Sequence, residues 1–406
     1  MSDAREISRR AVLGGSVASL GLVGLGTGAG WAAHAARPEL ARHAPGWGHT
    51  SVIPFFGVHQ AGIISPPTAH ARYAVFDLLP GVTRSDIRRL LTIITEDASR
   101  LVEGVAPLAD SEPELAYVPA HLTVTVGFGP NLVQTVNPDA VPSWLQPLPG
   151  FGIDELDPQL TGGDLLLIIQ ADDSLTVSHA ARVLTRQTRT LMSLRWSRDG
   201  FRRARGSEHD GATMRNLFGQ VDGTQGPHLG EDSFDIAVWG PPGESPSWLE
   251  GGTGYVLRVI EMNLDTWDEV DRPDRERSIG RRLDTGAPLT GQHEHDVPDF
   301  DARNDLGLPV IPDFAHMRRA RAVEAHEVFH RRGYNYEYGR GDGQVTSGLL
   351  FEAFANDPVR QFLPVQKRLS EVDMMNLWTT PVGSGVFALP PGCQRGGFIG
   401  DSLFVL

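Results

Sequence analysis

The chain of 406 residues is long enough for a short leader followed by two domains of ordinary size. Its hydrophobic fraction of 40% and charged fraction of 21% are typical of a soluble folded protein and exclude a disordered chain or a polytopic membrane protein. The net charge of −14 argues against binding to nucleic acid or anionic lipid, because both favour a basic face. We therefore expect no nucleic-acid partner and predict small neutral or cationic substrates.

The chain contains a single cysteine, Cys393. One thiol excludes an internal disulfide, a cysteine-rich zinc site and a cysteine-ligated iron–sulfur cluster. Because it follows Pro390, Pro391 and Gly392, which are typical of a turn, we interpret Cys393 as an inert or weakly exposed thiol.

Residues 1–35 have the layout of a signal peptide. Arg9 and Arg10 precede a run rich in Gly, Ala and Leu, and residues 33–35 match an A-x-A cleavage site. Glycines break the apolar run, which favours a cleaved leader over a membrane anchor. The paired arginines resemble the twin-arginine export signal, so we predict transport by the twin-arginine machinery to the periplasm, the cell surface or the exterior. That route carries folded proteins, which suggests a cofactor inserted before export.

The first half of the mature chain predicts alternating strands and helices. Thr83 or Ser85 caps a segment in which apolar residues recur at helical spacing from Ile87 to Leu101, and a second helix is predicted at about 175–194. The order is β-α-β-β-α-β, with strands at 73–78, 122–126, 164–170 and from 194.

The second half repeats this order without a detectable sequence repeat. Two such units predict an α+β fold of two ferredoxin-like domains, whose antiparallel sheets carry helices on one face. We assign residues 36–215 to the N-terminal domain and residues 216–406 to the C-terminal domain. The predicted strands are 254–262, 328–338, 348–354 and 384–389, with a polar amphipathic segment at 266–282 and a helix at 358–373.

A long polar, Gly-rich connection, residues 197–235, joins the two units, and loops of this length are usually functional. It contains Gly219, Asp222 and Gly223 in a G-x-x-D-G pattern. By itself this pattern is typical of a turn in which the aspartate bonds to its own backbone.

Together with the leader and the flanking segments, the pattern resembles the hallmark of the dye-decolorizing peroxidase family, where it lies on the distal side of a heme b. The resemblance covers nearly the whole mature chain. It indicates the subgroup exported by the twin-arginine route, similar to the iron-uptake deferrochelatase/peroxidase type. The segments that resemble family motifs are 54–62, 122–130, 163–173, 213–217, 347–351, 362–366 and 386–392.

The resemblance implies a histidine as proximal heme ligand in the C-terminal half. His316, preceded by Asp313, matches the family pattern, whereas His326 and His330 lie nearer the next strand. The family often has Asn-Pro-Arg after the ligand. Here residues 320–323 are Ala-Arg-Ala-Val, so that heme contact is not carried over.

A proximal imidazole is usually oriented by a hydrogen-bond acceptor on its second nitrogen. Asp373 and Glu371, before the last strand, are the candidates, and an ordinary solvated helix face is the alternative.

Arg331 and Arg332 lie on a predicted strand that resembles the family strand carrying the distal arginine. Because side chains alternate along a strand, one of the two faces the heme. The resemblance favours Arg331, with Arg332 as the alternative.

The resemblance further implies that Asp222 acts on peroxide first as general base and then as general acid. Arg331 would supply a fixed positive charge to the developing negative oxygen. Gly223, Thr224 and Gln225 are carried over as cofactor contacts. Because an aspartate has a low reference pKa, we predict highest activity in acid unless burial raises it.

The predicted activity is that of a heme b peroxidase that reduces hydrogen peroxide while oxidising dyes, phenols or similar small aromatic reductants. The alternatives are an exported protein that releases iron from heme, and a member of the chlorite dismutase group, which lacks G-x-x-D-G. A homo-oligomer is compatible with the sequence. Bulky reductants cannot enter a narrow pocket, so surface aromatic residues are candidates for relaying electrons from them. The candidates include Trp239, Trp248, Trp267 and Tyr334, and the alternative is that each is an ordinary core residue.

Residues 292–296, with His293, Glu294 and His295, are a weaker metal-binding candidate. Since they lie in a polar loop rich in Asp and Gly, we interpret them as a solvated stretch.

Overall fold

The computed structural model describes residues 51–209, 211–241, 243–339 and 343–405. The predicted leader and its twin-arginine signal lie outside the described residues. Within these ranges, no helix is both long enough and apolar enough to span a membrane.

The first half forms the predicted β-α-β-β-α-β order. Of the two predicted caps, Thr83 begins the first long helix, because its hydroxyl accepts from the backbone N–H of Asp86 while the Asp86 carboxylate accepts from the backbone N–H of Thr83. The elements are α1 (Ala61–Ile64), β1 (His70–Leu78), α2 (Arg84–Val102), β2 (Thr123–Phe128), α3 (Pro130–Val136), β3 (Leu165–Ala171), α4 (Ser174–Thr188) and β4 (Met192–Phe201).

The second half repeats the order, but its first crossover is broken into short helices. The elements are α5 (Asp232–Val238), β5 (Thr253–Met262), α6 (Leu264–Asp268), α7 (Arg272–Ile279), α8 (His316–Ala320), β6 (His330–Gly339), β7 (Val345–Ala355), α9 (Pro358–Val372) and β8 (Thr379–Leu389).

The eight strands close into one barrel in the order β1-β3-β2-β8-β5-β7-β6-β4. Within each half the order is that of a ferredoxin-like sheet, β4-β1-β3-β2 and β8-β5-β7-β6, with antiparallel pairing throughout. The predicted α+β fold of two ferredoxin-like units is therefore confirmed. The closure, which the sequence pattern does not predict, rests on the pairs Phe128↔Ala388 and Phe201↔Asn335. The domain boundary between residues 215 and 216 stays a prediction.

Alternate side chains of each strand face opposite sides of the sheet. On the outer face of the first half, α2 and α4 cover the strands with fully buried aliphatic residues such as Ile87, Leu90 and Leu184. The side chains that face into the barrel form a second cluster, in which several tyrosines are buried, among them Tyr73 and Tyr255.

The outer face of the second half is covered less completely. Phe362 of α9 packs against Phe351 of β7. The segment containing α6 to α8 contacts the sheet through a small cluster that includes Met262, Trp267 and Leu349. Side chains of β6 and β7 therefore line a cavity, which also contains the predicted distal residues Asp222 and Arg331.

Candidate active site

The G-x-x-D-G segment forms a tight hairpin in which Arg215 and Val221 pair. Gly219 turns the chain with a φ of 79°, and Gly223 follows Asp222 with a φ of 130°. Glycine adopts these left-handed conformations without steric penalty, whereas other residues do so rarely. The pattern is therefore a turn, and its conformation accounts for both glycines.

Asn216 holds this hairpin and orients Asp222. Its side-chain oxygen accepts from the backbone N–H groups of Phe218 (3.1 Å) and Gln220 (3.2 Å). Its amide nitrogen donates to Oδ2 of Asp222 (3.2 Å). Asn216 is buried, so these bonds are shielded from competing water. Asn216 lies in a segment that resembles a family motif, but its role depends on the hairpin geometry and cannot be predicted from that segment alone.

Arg331, on β6, faces Asp222. Its Nη1 lies 3.5 Å from Oδ1 of Asp222, and its Nε donates to the backbone carbonyl of Gln225 (3.3 Å). The two charged side chains are 25% and 24% exposed. Of the two predicted arginines, Arg331 is the one that lies beside Asp222.

Arg332 faces the barrel interior and binds backbone carbonyls at the end of α1. Its guanidinium donates to the carbonyls of Gly62 (2.7 Å), Ile63 (3.1 Å) and Ser65 (2.9 Å). Part of Arg332 borders the cavity, but its hydrogen bonds hold α1 in place. We therefore interpret Arg332 as a structural residue.

His316 is the first residue of α8, and its Nδ1 lies 2.6 Å from Oδ2 of Asp373. Glu371, the other predicted acceptor, instead lies 3.9 Å from the guanidinium of Arg319. Burial lowers the pKa of His316, but the charge and hydrogen bond of Asp373 outweigh it, so that the pKa is raised. The imidazole is 35% exposed while Asp373 is 3% exposed, so the ring is anchored on one edge and accessible elsewhere.

A cavity of about 370 Å³ brings the predicted distal residues together. The charges of Arg331 and Asp222 also act on His316, so the three groups lie in one electrostatic environment. Its lining includes Asp222, Gly223, Thr224, Arg331, Leu349 and Phe351.

These residues fit a heme. Heme iron binds a neutral imidazole nitrogen, and an imidazole whose Nδ1 is held by a carboxylate presents Nε2 to the metal. Leu349 and Phe351 supply apolar surface for the flat macrocycle. Of the other candidate ligands, His326 is exposed to solvent, and His330 lines the cavity with Arg331.

The loop that we interpreted as solvated contributes to the site. Oε1 of Glu294 accepts from the hydroxyls of Thr213 (2.6 Å) and Thr224 (2.9 Å), which flank the Asp222 hairpin. His293 and His295 are 82% and 70% exposed. Across the described part of the chain, no three His, Cys, Asp or Glu side chains cluster closely enough to hold a metal ion. The interpretation is wrong for Glu294, whose carboxylate joins the two segments beside Asp222.

The remaining predicted residues differ in exposure. Gln225 contacts Arg331 through its backbone, and its side chain is exposed. Among the relay candidates, Trp239 is half-buried and stacks on His59 with ring centroids 3.8 Å apart. The other three candidates are fully buried: Trp248, Trp267 and Tyr334.

Cys393 is buried in the core, and burial raises the pKa of its thiol to about 11. Both observations agree with an inert thiol.

Comparison with known proteins gives the class of this chain. Models of the Dyp-type peroxidase N-terminal and C-terminal domains match residues 60–202 and 213–394. The crystal structure of a DyP-type peroxidase from Cellulomonas bogoriensis is 50% identical, with a TM-score of 0.86, and covers 88% of this chain and 99% of that chain. Ferric DtpA from Streptomyces lividans is 36% identical, with a TM-score of 0.84, over 88% of this chain and 98% of that chain.

Two relatives extend the comparison. A dye-decolorizing peroxidase from Thermobifida fusca is 37% identical over 359 residues, or 85% of this chain and 83% of that protein. A deferrochelatase from Escherichia coli K12 is 34% identical over 363 residues, or 84% of each chain. The fold and these matches identify the chain as a heme peroxidase, which is an oxidoreductase that acts on peroxide. The chain belongs to the Dyp-type peroxidase family, which confirms the predicted resemblance, cofactor and reaction class.

Proposed function

We propose that this chain is a heme b peroxidase in which Asp222 moves the protons of hydrogen peroxide, Arg331 stabilises developing negative charge and His316 holds the heme iron. The observation that carries the proposal is the approach of Asp222 to Arg331, 3.5 Å apart in the wall of one cavity. When bound, the heme supplies the iron at which peroxide is reduced.

The two carboxylate oxygens of Asp222 have different surroundings. Asn216 donates to Oδ2 and so fixes the plane of the carboxylate. Oδ1 lies on the side of Arg331 and the cavity. We therefore assign Oδ1 as the atom that takes a proton from one peroxide oxygen and returns it to the departing one, acting as base and then as acid.

Arg331 carries a charge that does not depend on pH in the working range. The carbonyl of Gln225 and the carboxylate of Asp222 hold its guanidinium in place before peroxide arrives. Preorganised charge of this kind stabilises a developing anion without the cost of reorientation. Gly223 and Thr224 line the same cavity and would contact the cofactor, while Gln225 contributes its backbone carbonyl.

His316 would bind heme iron through Nε2. The carboxylate of Asp373 accepts a hydrogen bond from Nδ1, which fixes the tautomer and makes the imidazole a stronger donor to the metal.

The proposed reductants are dyes, phenols and similar small aromatic compounds. The name of the Thermobifida fusca relative, a dye-decolorizing peroxidase, supports this class.

The experiment loads the mature protein with heme, mixes it rapidly with hydrogen peroxide, and follows the heme absorbance. We expect the rate of the peroxide reaction to fall by about 10²–10⁴-fold in Asp222→Asn and by about 10²–10³-fold in Arg331→Ala. Asp232→Asn, on the exposed side of α5, is the matched control and should react like wild type. A wild-type protein that binds heme but does not react with peroxide would contradict the proposal.

A second candidate function is the release of iron from heme, supported by the relatives named deferrochelatase. Incubation with heme and an iron chelator distinguishes the two, since iron release yields chelated iron and metal-free porphyrin. Porphyrin retained with its iron, together with peroxide turnover, favours the peroxidase.

We also propose export by the twin-arginine machinery to the periplasm, the cell surface or the exterior, supported by the pattern of residues 1–35. Replacing Arg9 and Arg10 by lysine should retain the protein in the cytoplasm, and unchanged export would contradict the assignment. A homo-oligomer is proposed as well, and sedimentation of the mature protein tests it.

A further inference from the structure

Inside the barrel lies a buried carboxylate that the peroxide chemistry does not use. Glu352, on β7, is 0% exposed and lies on the face of the sheet opposite to Arg331. The hydroxyl of Tyr73 donates to its Oε1 (2.7 Å), and the hydroxyl of Tyr255 donates to its Oε2 (2.8 Å). A carboxylate is costly to bury unless it is paired or hydrogen-bonded, so the two phenols account for its presence energetically.

The geometry suits the ionised form of Glu352. Each oxygen accepts from one phenol, and Arg332 lies directly opposite in the strand register. Burial raises the pKa of Glu352 in spite of the charge of Arg332 and the two phenol hydrogen bonds. Burial and the charge of Glu352 also raise the pKa values of Tyr73 and Tyr255, so both phenols keep their protons at rest.

Tyr334 connects this cluster to the active-site cavity. Its ring is 6.2 Å from the ring of Tyr73 in an edge-on arrangement, and the guanidinium of Arg202 lies 4.9 Å from its centroid. Arg202 and Gly333 line the cavity, while Tyr334 is fully buried behind them. Two tyrosine rings therefore lead from the cavity wall to Glu352.

We propose that Tyr73, Glu352 and Tyr255 form a redox site that stores one oxidising equivalent when peroxide arrives before a reductant. The inference rests on the proposed peroxidase function. One phenol loses an electron, by way of Tyr334, to the centre that peroxide has oxidised, and its proton passes to the carboxylate of Glu352. The phenol O–H bond breaks and a carboxyl O–H bond forms, which leaves a neutral tyrosyl radical and a neutral Glu352. An electron from a later reductant, with return of the proton, restores the starting state.

The hydrogen bonds to Glu352 make this step feasible in a dry interior. A phenol that lost only an electron would leave a positive charge without solvent, which is strongly unfavourable. Because each hydroxyl already donates to a carboxylate oxygen, its proton moves along an existing hydrogen bond. Glu352 accepts only one proton, so the site stores one oxidising equivalent although two tyrosines flank the carboxylate.

The test mixes the heme-loaded mature protein with one equivalent of hydrogen peroxide in the absence of reductant and freezes it for electron paramagnetic resonance. Ring-deuterated tyrosine identifies tyrosyl signals. We expect wild type to show a tyrosyl signal that does not exceed one spin per chain, and we expect most of this signal to be lost in the double variant Tyr73→Phe/Tyr255→Phe. Glu352→Gln keeps both phenols but removes the proton acceptor, and should also lower the yield. Tyr117→Phe, at a tyrosine that is 38% exposed in the first half, is the matched control and should keep the signal.

An undiminished tyrosyl signal in the double variant, or a signal lost in Tyr117→Phe, would overturn the assignment. Heme absorbance and melting temperature of each variant show that it is folded and loaded, and the double variant removes only two hydroxyl groups. If wild type consumes peroxide without a tyrosyl signal, the redox site is refuted and the peroxidase function stands. If heme-loaded wild type does not consume peroxide, the proposed function itself fails, and this inference with it.

Discussion

Helix α2 and the segment from α6 to α8 each connect the first and second strands of their repeat, yet they cover their sheets differently. α2 is one helix of 19 residues whose apolar stripe is fully buried, including Ile87, Leu90 and Leu91. The three helices of the second segment have 5, 8 and 5 residues, and none of the residues of α8 is buried. The continuous helix closes one sheet, whereas the broken one leaves room for a cofactor.

A histidine–aspartate pair in each half shows the same contrast. In the first half, Nε2 of His179 lies 2.9 Å from Asp110, and the two side chains are 1% and 0% exposed. In the second half, Nδ1 of His316 lies 2.6 Å from Asp373, and the imidazole is 35% exposed. The pairing is common to both halves, and the open space beside the ring distinguishes a candidate ligand from a core residue.

The largest expected effect comes from removing each histidine. His316→Ala should abolish the histidine-type heme spectrum and peroxide reduction, because the iron loses its proposed protein ligand. His179→Ala should leave the spectrum intact and reduce the free energy of unfolding by about 3–5 kcal/mol, since it leaves the Asp110 carboxylate buried without its histidine partner. Heme titration and urea unfolding measure both. A histidine-type spectrum that persists in His316→Ala would overturn the ligand assignment.

Truncating a leucine in each half tests the difference in packing. Leu90→Ala should reduce the free energy of unfolding by about 2–5 kcal/mol, because it leaves a void under a closed helix. Leu349→Ala should cost less stability, since this side chain already borders a cavity, and it should shift the heme absorbance. Equal losses of stability, with no change of absorbance in Leu349→Ala, would show that the two sheets are packed alike.

Replacing the aspartate partners of the two histidines should give a smaller effect. Asp373→Asn should weaken heme affinity or activity by about 10–100-fold, as removal of an orienting partner does at other metal sites. The matched change, Asp110→Asn, should alter the melting temperature alone. Heme dissociation rates and melting curves measure the two outcomes, and unchanged heme affinity in Asp373→Asn would argue against its orienting role.

The smallest expected effect concerns pH. Burial and the nearby charge of Arg332 lower the pKa of His330 from 6.5 to about 4, with Arg202 and His228 adding to the shift. Between these values the unfolded chain binds more protons than the folded one, so stability rises with pH in this window and is lost as the pH falls. His330→Gln should therefore flatten the fall in melting temperature between about pH 6.5 and 4.

The control for this prediction is His326→Gln, at an exposed histidine. The control should follow wild type. If the melting temperature of His330→Gln depends on pH as that of wild type does, His330 is not held in its neutral form in the folded protein.

Local patterns predicted the elements well. The cap at Thr83 and the spacing from Ile87 onward predicted α2, and the apolar run at 164–170 became β3. The closure of the barrel was not predictable, because it depends on one residue pair at each seam, joining strands far apart in sequence. Strand order within each half followed from the recurring β-α-β-β-α-β pattern, which says nothing about how the halves meet.

The site was predictable in part, for a similar reason. Asp222, Arg331 and His316 stand in segments that resemble family motifs. Glu294 does not, because its hydrogen bond to Thr224 joins residues 70 positions apart in the sequence, and no local pattern indicates that contact. The choice between Asp373 and Glu371 likewise required the position of α8 relative to the last strand.

Barrel closure also limits how copies of this protein can associate. In an isolated ferredoxin-like sheet, the outer strands offer unpaired backbone groups to which another chain can add a strand. Here one residue pair joins β2 to β8 and another joins β4 to β6, so the edge strands of each unit lie beside those of the other. If the protein forms a homo-oligomer, we expect its contacts to come from helices and loops rather than from strands added at these edges.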